Sequence, residues 1–465
     1  MSIIGPACDS IRSVEEIQMF MIRTLGLWAI GVAMACLMPA PLIGGFPEPQ
    51  GSQGSDESES DNERTQNPSV RYIRPAGSGN HSGTDRHNAA TLADINEMIG
   101  LVGPGGTVYL LADAGPYPTT EPITISCGGS AGKPVKVTGI DNSGKPAKTL
   151  ITGTRTSPYP TTAADFATIR PGNEVFRLNA GADHLSFSSL SFRNIGNGAF
   201  CVRANIANLT LEDIVAANVQ RFLERSGNAE NTITGLKICR VSVAGFSKSV
   251  VRLDDNTSDV LMEDVLGDSM GQDFDNFPEG IDLSGKVHDV VIRRCTMRNS
   301  QQTLGPEDFW NGDGFTSEKE TYDILFEDCV ASGNTDAGFD LKSNRVMLLR
   351  CKSYGNTANF KLWGNEKVVM RECVSENPLR RGGAQDARHV TAPWGAKVLV
   401  EKCRFTDKNR HVIVYHTDAN DDVDPPVGST ITVTNSEVKS LGKLSFVDID
   451  SKILINGVAR PFDGR

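Results

Sequence analysis

The sequence predicts an all-β protein built as a parallel β-helix that begins with a short capping helix. A unit of about 22 residues recurs through the second half of the chain. The 465 residues include 46 Gly and 23 Pro but only 6% aromatic residues, which indicates many turns. A short amphipathic segment precedes the first strong strand pattern, where a solenoid needs cover for its open end.

The repeat is clearest in four successive pieces: an apolar strand, a cysteine, an asparagine-containing turn and a second strand. The pieces read DVVIRRCTMRNS, DILFEDCVASGN, RVMLLRCKSYGN and KVVMRECVSEN. Their cysteines, 34, 22 and 22 residues apart, are Cys295, Cys329, Cys351 and Cys373. Weaker copies begin near Leu185, Leu209, Ile233, Val260, Val398 and Ile431. One unit cannot bury its apolar face alone, so the pattern predicts coils stacked at strand spacing.

Stacking in register gives the repeated cysteines and asparagines a structural role. The cysteines are predicted to form a column of small buried side chains. A disulfide or metal role is the less favoured alternative, because side chains stacked in register point in parallel. Asparagine tolerates left-handed φ angles and can pass amide hydrogen bonds from coil to coil. The turn residues expected to do so are Asn299, Asn334, Asn356 and Asn377.

The opening of the solenoid combines a strand, a helix and a glycine turn. RYIRPAGSGNHSGT carries one strand, ATLADINEMIG predicts a short helix, and GPGGTVYLLADAGPY predicts a glycine turn that leads into a strand. The apolar face of the helix consists of Leu92, Ile95, Met98 and Ile99. We therefore expect residues 70–465 to form one β-helix domain that carries the function. A separate small domain at its start is the alternative.

The first 69 residues are predicted to be a targeting segment and a tether. Residues 1–35 hold most of an apolar run, Leu25–Leu37, and end on the small-x-small pattern AMA of a signal-peptide cleavage site. Residues 36–69 are rich in Ser, Gly, Asp, Glu and Asn and cannot bury enough apolar surface to fold. We expect a secreted, periplasmic or cell-surface protein. A lipid anchor at Cys36 and an uncleaved hydrophobic anchor are the alternatives.

Charge and missing motifs exclude several functional classes. The formal net charge is −11, from 46 basic and 57 acidic side chains, so no excess of Lys and Arg is available to bind nucleic acid or an anionic membrane. The sequence has no HExxH, no Walker A loop and no G-x-G-x-x-G, which argues against metalloproteases and nucleotide-binding enzymes. We expect no nucleic-acid partner, no protein partner and a monomer.

Three coils in the middle of the chain place carboxylates and one lysine at adjacent positions. GDGFTSEK, DAGFDLKS and TANFKLWG align through Phe315, Phe339 and Phe360, which are 24 and 21 residues apart. If these rings point into the core, the residues beside them point outward on one exposed sheet. The residues brought together in this way are Asp313, Asp336 and Asp340, with Lys361 one coil above Asp340.

This grouping predicts a cation site. A cluster of carboxylates needs neutralising charge, and hard oxygen ligands suit Ca²⁺. A lysine beside a bound divalent cation would have its pKa lowered and could serve as a base. Ordinary surface ion pairs between stacked turns are the alternative, and the spacing does not separate the two.

The same segments resemble the core motifs of polysaccharide lyase family 9, in WNGDGF, GNTDAGFDLKSN and NTANFKLWGN. Members of this family are right-handed parallel β-helix pectate and exopolygalacturonate lyases. The resemblance covers about residues 280–410 and implies a right-handed fold. The calcium ligands that it implies are Asp313, Asp336 and Asp340, and the catalytic base is Lys361. Two positions depart from the family: Ala337 stands where a further Asp ligand is expected, and Trp363 replaces a small residue.

The resemblance implies a calcium-dependent lyase that cleaves a uronate-containing polymer such as pectate by β-elimination. Calcium would bridge the three aspartates to the carboxylate of a uronate, and Lys361 would remove the proton on the adjacent ring carbon. Lys342, Arg380 and Arg381 are candidate clamps for substrate carboxylates, with solvated turn charges as the alternative. Trp363 and Trp310 are candidates for stacking on sugar rings.

Three other functions stay open at this point. One is a β-helix lyase that acts on alginate or another acidic glycan. Another is a non-catalytic carbohydrate-binding or adhesion solenoid, which the missing carboxylate at Ala337 favours. The third is a glycoside hydrolase, which would need two carboxylic acids flanking the scissile bond.

Overall fold

The computed structural model describes residues 69–157, 171–225, 231–272, 277–303, 310–382 and 386–463. The predicted targeting segment 1–35 and the tether 36–69, with Cys36, lie outside these residues apart from Ser69. Their roles therefore stay predictions. In the part of the chain that is described, no helix is long and apolar enough to span a membrane.

These residues form a right-handed parallel β-helix, as the sequence predicts. Each strand pairs in parallel with its counterparts in the neighbouring coils, because the coils stack at strand spacing. The exception is the final hairpin, in which Lys452–Ile455 pairs antiparallel with Val458–Ala459. The pairings define three sheets that run along the solenoid, called here sheet 1, sheet 2 and sheet 3.

The strands divide among the three sheets as follows. Sheet 1 contains Ile123–Ile125, Phe176–Leu178, Phe200–Val202, Glu279–Leu283, Asp313–Ser317, Ala337–Leu341, Ala358–Leu362, Arg388–Pro393, Ile413–Asp418 and Lys443–Phe446. Sheet 2 contains Val70–Ile73, Thr107–Leu111, Val135–Ile140, Leu185–Ser188, Ile206–Glu212, His288–Arg293, Tyr322–Glu327, Asn344–Leu349, Val368–Arg371, Lys397–Glu401, Thr430–Thr434, Lys452–Ile455 and Val458–Ala459. Sheet 3 contains Tyr117–Pro118, Thr149–Thr152, Leu190–Ile195, Thr296–Arg298, Val330–Ser332, Lys352–Tyr354, Val374–Glu376, Arg404–Thr406 and Glu437–Lys439. Three long strands continue around corners from one sheet into the next, namely Val215–Arg225, Ile233–Leu253 and Ser258–Asp268.

The predicted capping helix is present near the start of the solenoid. It consists of a 3-10 turn, Leu92–Asp94, followed by an α-helix, Ile95–Val102; a second 3-10 turn spans Ala112–Ala114. Thr91 and Asp94 form a capping box at its beginning, and Gly103, with φ of 62°, follows its end. All four residues of the predicted apolar face are buried: Leu92, Ile95, Met98 and Ile99.

The core consists of columns of like side chains stacked along the solenoid axis. Phe315, Phe339 and Phe360 stack in sheet 1 with ring centroids 4.8 and 5.1 Å apart and nearly parallel planes. Because these rings point inward, the residues beside them face outward, as the alignment of the three coils predicts. The predicted cysteine column is also present: its thiols are free, buried, and bonded to backbone carbonyls of the preceding coil.

The predicted asparagine column is one residue out of register. Asn299 aligns with Gly333 and not with Asn334, and the backbone of Gly333 has a φ of 72°. Glycine therefore takes the left-handed position in this coil. Asn334 and Asn356 lie one residue later, fully buried, and the side-chain oxygen of Asn356 accepts the backbone N–H of Asn334 at 2.9 Å. The expected amide bonds between coils exist, but they involve this second position.

Candidate carboxylate and lysine site

The outer face of sheet 1 carries a column of mostly polar side chains in register. From one coil to the next the column contains Arg177, Cys201, Glu224, Arg252, Asp282, Thr316, Asp340, Lys361, Thr391, His416 and Phe446. Neighbouring members are about 4.8 Å apart along the solenoid, the spacing of paired strands. The candidate site lies where this column passes Asp340 and Lys361.

Three aspartates converge at that point. Oxygens of Asp313, Asp336 and Asp340 lie within 4.8 Å of one another. Their side chains are buried, with residue exposures of 4%, 2% and 5%. Asp313 and Asp340 come from neighbouring strands of sheet 1, and Asp336 ends the turn that leads into the second of these strands. The structure therefore brings together the three carboxylates that the sequence singles out.

Lys361 closes the cluster from the next coil. Its Nζ donates to Oδ2 of Asp336 at 2.8 Å and to Oδ2 of Asp340 at 3.3 Å. Lys361 is itself buried, with 8% of its surface exposed. With all three carboxylates ionised and one ammonium beside them, the net charge of the cluster is −2, which one divalent cation would balance.

The remaining contacts fix the orientation of two of the carboxylates. Oδ1 of Asp313 accepts the backbone N–H of Ala337 at 2.6 Å. Oδ1 of Asp340 accepts the indole N–H of Trp363 at 2.6 Å. Thus both positions that depart from the family pattern contact the cluster: one through its backbone and one through its side chain.

A buried amide network lies against the strand that carries Asp340. The side-chain amide of Asn356 donates to Ser353 and to the side chain of Asn359. A Cβ on Gly338 would lie 2.1 Å from the Ser353 hydroxyl, so only glycine fits there. The glycine in the DAGFD segment thus allows the strand with Asp340 to pack closely against this network.

Burial controls the ionisation of the cluster. It raises the pKa of Asp313 well above its usual value, and the charges of Asp336 and Asp340 raise it further. Burial also raises the pKa of Asp336, although Lys361 opposes the shift. For Lys361, burial lowers the pKa, but the charges of Asp336, Asp340 and Asp313 outweigh it and leave the pKa above its usual value. Without a cation, this direction is opposite to the one that a base needs.

The donor set fits a hard divalent cation. All three side chains offer carboxylate oxygens, which Ca²⁺ prefers. Oδ1 of Asp336 is buried and has no hydrogen-bond partner among the described residues. An orphan carboxylate oxygen of this kind is costly unless an ion or water satisfies it. With Ala337 in place, protein oxygens from these side chains supply only part of a calcium shell, and the remaining ligands would come from water or substrate.

The predicted substrate clamps divide between the two edges of sheet 1. Nζ of Lys342, the residue directly after the strand of Asp340, forms an ion pair with Oε1 of Glu318 at 2.6 Å, and 21% of the Lys342 side chain is exposed. Burial lowers the pKa of Lys342, but the negative charges of Asp340 and Glu318 outweigh it and raise the pKa. Arg380 and Arg381 lie exposed at the opposite edge, where Nε of Arg381 donates to the Gly355 carbonyl at 2.8 Å.

The two tryptophans differ in their surroundings. Trp363 is half-buried beside the cluster, with the Lys361 ammonium 5.8 Å from its ring centroid. Trp310 packs against the backbone of Gly382, where a Cβ would lie 2.2 Å from the ring. The ring of Trp310 therefore contacts protein. The sequence does not predict the hydrogen bond between Trp363 and Asp340.

Sequence reasoning missed two acidic residues on the preceding coil. Glu279 pairs with Asp313 in register, and Asp282 pairs with Thr316. Burial raises the pKa of Glu279 well above its usual value, and Asp282 and Asp313 add to the shift. The signal that would have found both is their 34-residue offset from Asp313 and Thr316, the same offset that separates the first two cysteines of the repeat.

Comparisons with known proteins give structural similarity alone. No protein-family profile and no curated protein sequence matches the chain. Among solved structures, it is similar to pectate lyase Pel9A, with 17% identity, a TM-score of 0.48 and coverage of 66% of this chain and 75% of that one. It is similar to the periplasmic alginate epimerase AlgG, with 10% identity, a TM-score of 0.47 and coverage of 73% and 83%. It is also similar to the catalytic domain of a GH87 alpha-1,3-glucanase, with 11% identity, a TM-score of 0.48 and coverage of 84% and 67%.

These three proteins differ in activity: one is a lyase, one is an epimerase and one is a glucanase. At these identities and TM-scores the similarity carries no argument about the reaction of this chain, and it does not assign the chain to polysaccharide lyase family 9. The function is therefore argued from the residues of this chain.

Proposed function

We propose that this chain is a calcium-dependent lyase that cleaves a uronate-containing polysaccharide by β-elimination. One observation carries the proposal: carboxylate oxygens of three buried aspartates lie within 4.8 Å of one another, and one lysine donates to two of these carboxylates. Asp313, Asp336 and Asp340 would hold the calcium ion, which would supply positive charge beside the substrate carboxylate and so acidify the proton on the neighbouring ring carbon.

Lys361 is the residue placed to take that proton. Its Nζ lies in the outer column of sheet 1, against the same carboxylates that would hold the ion. As the amine accepts the proton, the C–H electron pair forms the ring double bond and the bond to the leaving glycosidic oxygen breaks. The leaving oxygen takes up a proton from water, and the new chain end is an unsaturated uronate. This step requires a neutral Lys361. The negative charges of the three aspartates now raise the pKa of Lys361, so a bound cation would first have to balance these charges.

Several features are proposed together with this activity. The substrate is an acidic polysaccharide such as pectate; alginate or another acidic glycan is the alternative polymer. Lys342 is proposed to bind a substrate carboxylate, because it lies two residues after Asp340 on the same strand end. Export through residues 1–35, a monomeric state and the absence of a nucleic-acid partner stay proposals from the sequence.

A second candidate function is a non-catalytic carbohydrate-binding β-helix. It is favoured by Ala337, which leaves the cluster one carboxylate short, and by the ion pairs of Lys361 with Asp336 and Asp340. An inverting hydrolase built on the three aspartates is disfavoured. Its two carboxyl groups need about 6.5–9.5 Å for the attacking water, whereas oxygens of these residues lie within 4.8 Å.

The test incubates the purified protein with polygalacturonate, alginate and ulvan, with calcium or with a chelator, and follows the ultraviolet absorbance of unsaturated products. We expect absorbance with one polymer that is lost with chelator and falls about 100-fold or more in Lys361→Ala. Lys367→Ala, at an exposed residue six positions further on, is the matched control. Reducing ends without absorbance would indicate hydrolysis, and polymer retention with neither would indicate a binding protein.

A further inference from the structure

Beside the carboxylate cluster, two tryptophans from neighbouring coils form an aromatic corner. The rings of Trp363 and Trp394 meet edge to face, with centroids 5.5 Å apart and planes at 85°. Trp363 follows the strand Ala358–Leu362, and Trp394 follows the strand Arg388–Pro393 one coil later. Both residues therefore lie at the edge where the strands of sheet 1 end.

The ring of Trp394 contacts a lysine from an earlier coil. Nζ of Lys319 lies 5.3 Å from its centroid, although Lys319 belongs to a turn three coils earlier, about 14 Å along the solenoid at strand spacing. Between these two coils lie the turns that carry Lys342 and Trp363. The Trp394 ring and the Lys319 ammonium thus meet beside the turns that follow the strands of Asp340 and Lys361.

The corner is anchored on one side and open on the other. The bond of the Trp363 indole to Asp340 ties the first ring to the carboxylate cluster. The backbone N–H of Trp394 donates to the Asp418 carbonyl at 2.7 Å, yet 43% of Trp394 stays exposed. A large aromatic surface that is fixed in place and still open to solvent is typical of ligand sites.

We propose that Trp363 and Trp394 form a subsite that stacks against one pyranose ring of the acidic polysaccharide, next to the ring that is bound at the carboxylates. The apolar face of a sugar ring suits an aromatic surface, and the positive charges of Lys319 and Lys342 suit the uronate carboxylate. The identity of the sugar as a uronate rests on the proposed function. The stacking itself rests on the geometry of the two rings.

The experiment compares Trp394→Ala and Trp394→Phe with the matched control Leu379→Ala, an exposed apolar residue at the opposite edge of sheet 1. Binding of oligogalacturonate is measured by calorimetry in a Lys361→Ala background with calcium, so that no turnover occurs. KM and kcat are measured in the parent protein. We expect Trp394→Ala to raise Kd and KM about three- to tenfold and to leave kcat within about twofold. Trp394→Phe should change them less, and Leu379→Ala not at all.

The outcomes separate this subsite from the lyase proposal. If no polymer gives unsaturated product but Trp394→Ala still weakens oligogalacturonate binding, the lyase fails and the subsite stands. If product forms but Kd and KM do not change in Trp394→Ala, the subsite is wrong and the lyase stands. The subsite is also overturned if Trp394→Ala weakens calcium binding to the same extent as sugar binding, or if the parent binds no oligogalacturonate.

Discussion

The indole N–H of Trp363 donates to Oδ1 of Asp340 over 2.6 Å, so a side chain from one coil orients a carboxylate of the coil before it. Oδ2 of the same carboxylate faces the Lys361 ammonium at 3.3 Å. Asp340 is thus held from two directions by residues of one neighbouring strand end.

Trp363→Phe keeps an aromatic ring and removes only the N–H donor. A group that orients a metal ligand typically contributes about 10- to 100-fold in affinity, so we expect calcium affinity to fall by about tenfold or more. Terbium luminescence or calorimetry measures this affinity directly. Trp394→Phe is the control, because Trp394 has no such bond to the aspartates. Equal calcium affinities in all three proteins would contradict the orienting role.

Ala337→Asp adds a fourth carboxylate to a position that is fully buried. Without calcium the added charge is unpaired, so we expect the melting temperature in chelator to fall by several degrees. With calcium the added ligand should strengthen binding, and the calcium-induced rise in melting temperature should exceed that of the parent. Ala392→Asp, a core position of the same sheet two coils later, should lose stability in both conditions. A calcium response no larger than that of the parent would show that the ion does not use this position.

Lys342→Ala tests the proposed carboxylate clamp. Removing a charged donor from a partly buried site should raise KM for the uronate polymer about tenfold while kcat stays within about twofold. Lys352→Ala is the matched control, because Lys352 forms an ion pair of similar length, 2.7 Å, with Glu376 on sheet 3. Similar KM changes in both variants would point to a general charge effect and not to a local contact.

The burial of His389 predicts that the protein loses stability in mild acid. Its ring is fully buried, with Nδ1 2.7 Å from the Ser375 hydroxyl and Nε2 2.9 Å from Asp407. Burial lowers the pKa of His389, although Asp407 opposes the shift. In the unfolded chain histidine titrates near pH 6.5. Below that pH the unfolded state binds more protons than the folded state, so stability falls as the pH falls through this range.

Urea unfolding between about pH 7.5 and pH 5 measures this contribution. His389→Gln should be less stable at the upper pH but should depend less on pH, because the titrating group is gone. His411→Gln is the control, since His411 is exposed. Burial raises the pKa of Asp407, but the hydrogen bond with His389 and its other bonds outweigh it and lower the pKa, so its own contribution is lost only at more acidic pH. An unchanged pH slope in His389→Gln would assign the acid sensitivity elsewhere.

The repeat predicts the coil because equivalent positions of a solenoid recur at nearly fixed intervals in the sequence. The spacing of Phe315, Phe339 and Phe360 is enough to define inward and outward positions, and with them the meeting of Asp340 and Lys361. The register of the asparagines is also contained in the spacing. Asn299 and Gly333 each stand four residues after the cysteine of their coil, whereas Asn334 stands five residues after Cys329, so aligning the asparagines by residue type places Asn334 one residue out.

The repeat does not determine the direction of side chains at strand ends. Trp363 follows the last residue of its strand, where alternation no longer decides which way a side chain points. Its bond to Asp340 depends on the path of the following turn. The backbone contact of Ala337 with Asp313 is equally invisible, since any residue type carries the same N–H.

The stacked thiols give the protein an internal reporter. Cys329 is fully buried in the coil that carries Asp336, and burial raises its pKa well above the usual value, so an alkylating reagent cannot react with it while that coil is closed. The rate at which this sulfur is labelled, measured by mass spectrometry, therefore reports the rate at which a single turn of the solenoid opens. Cys403, also buried but two coils beyond Cys351, times the opening of a more distant turn in the same sample.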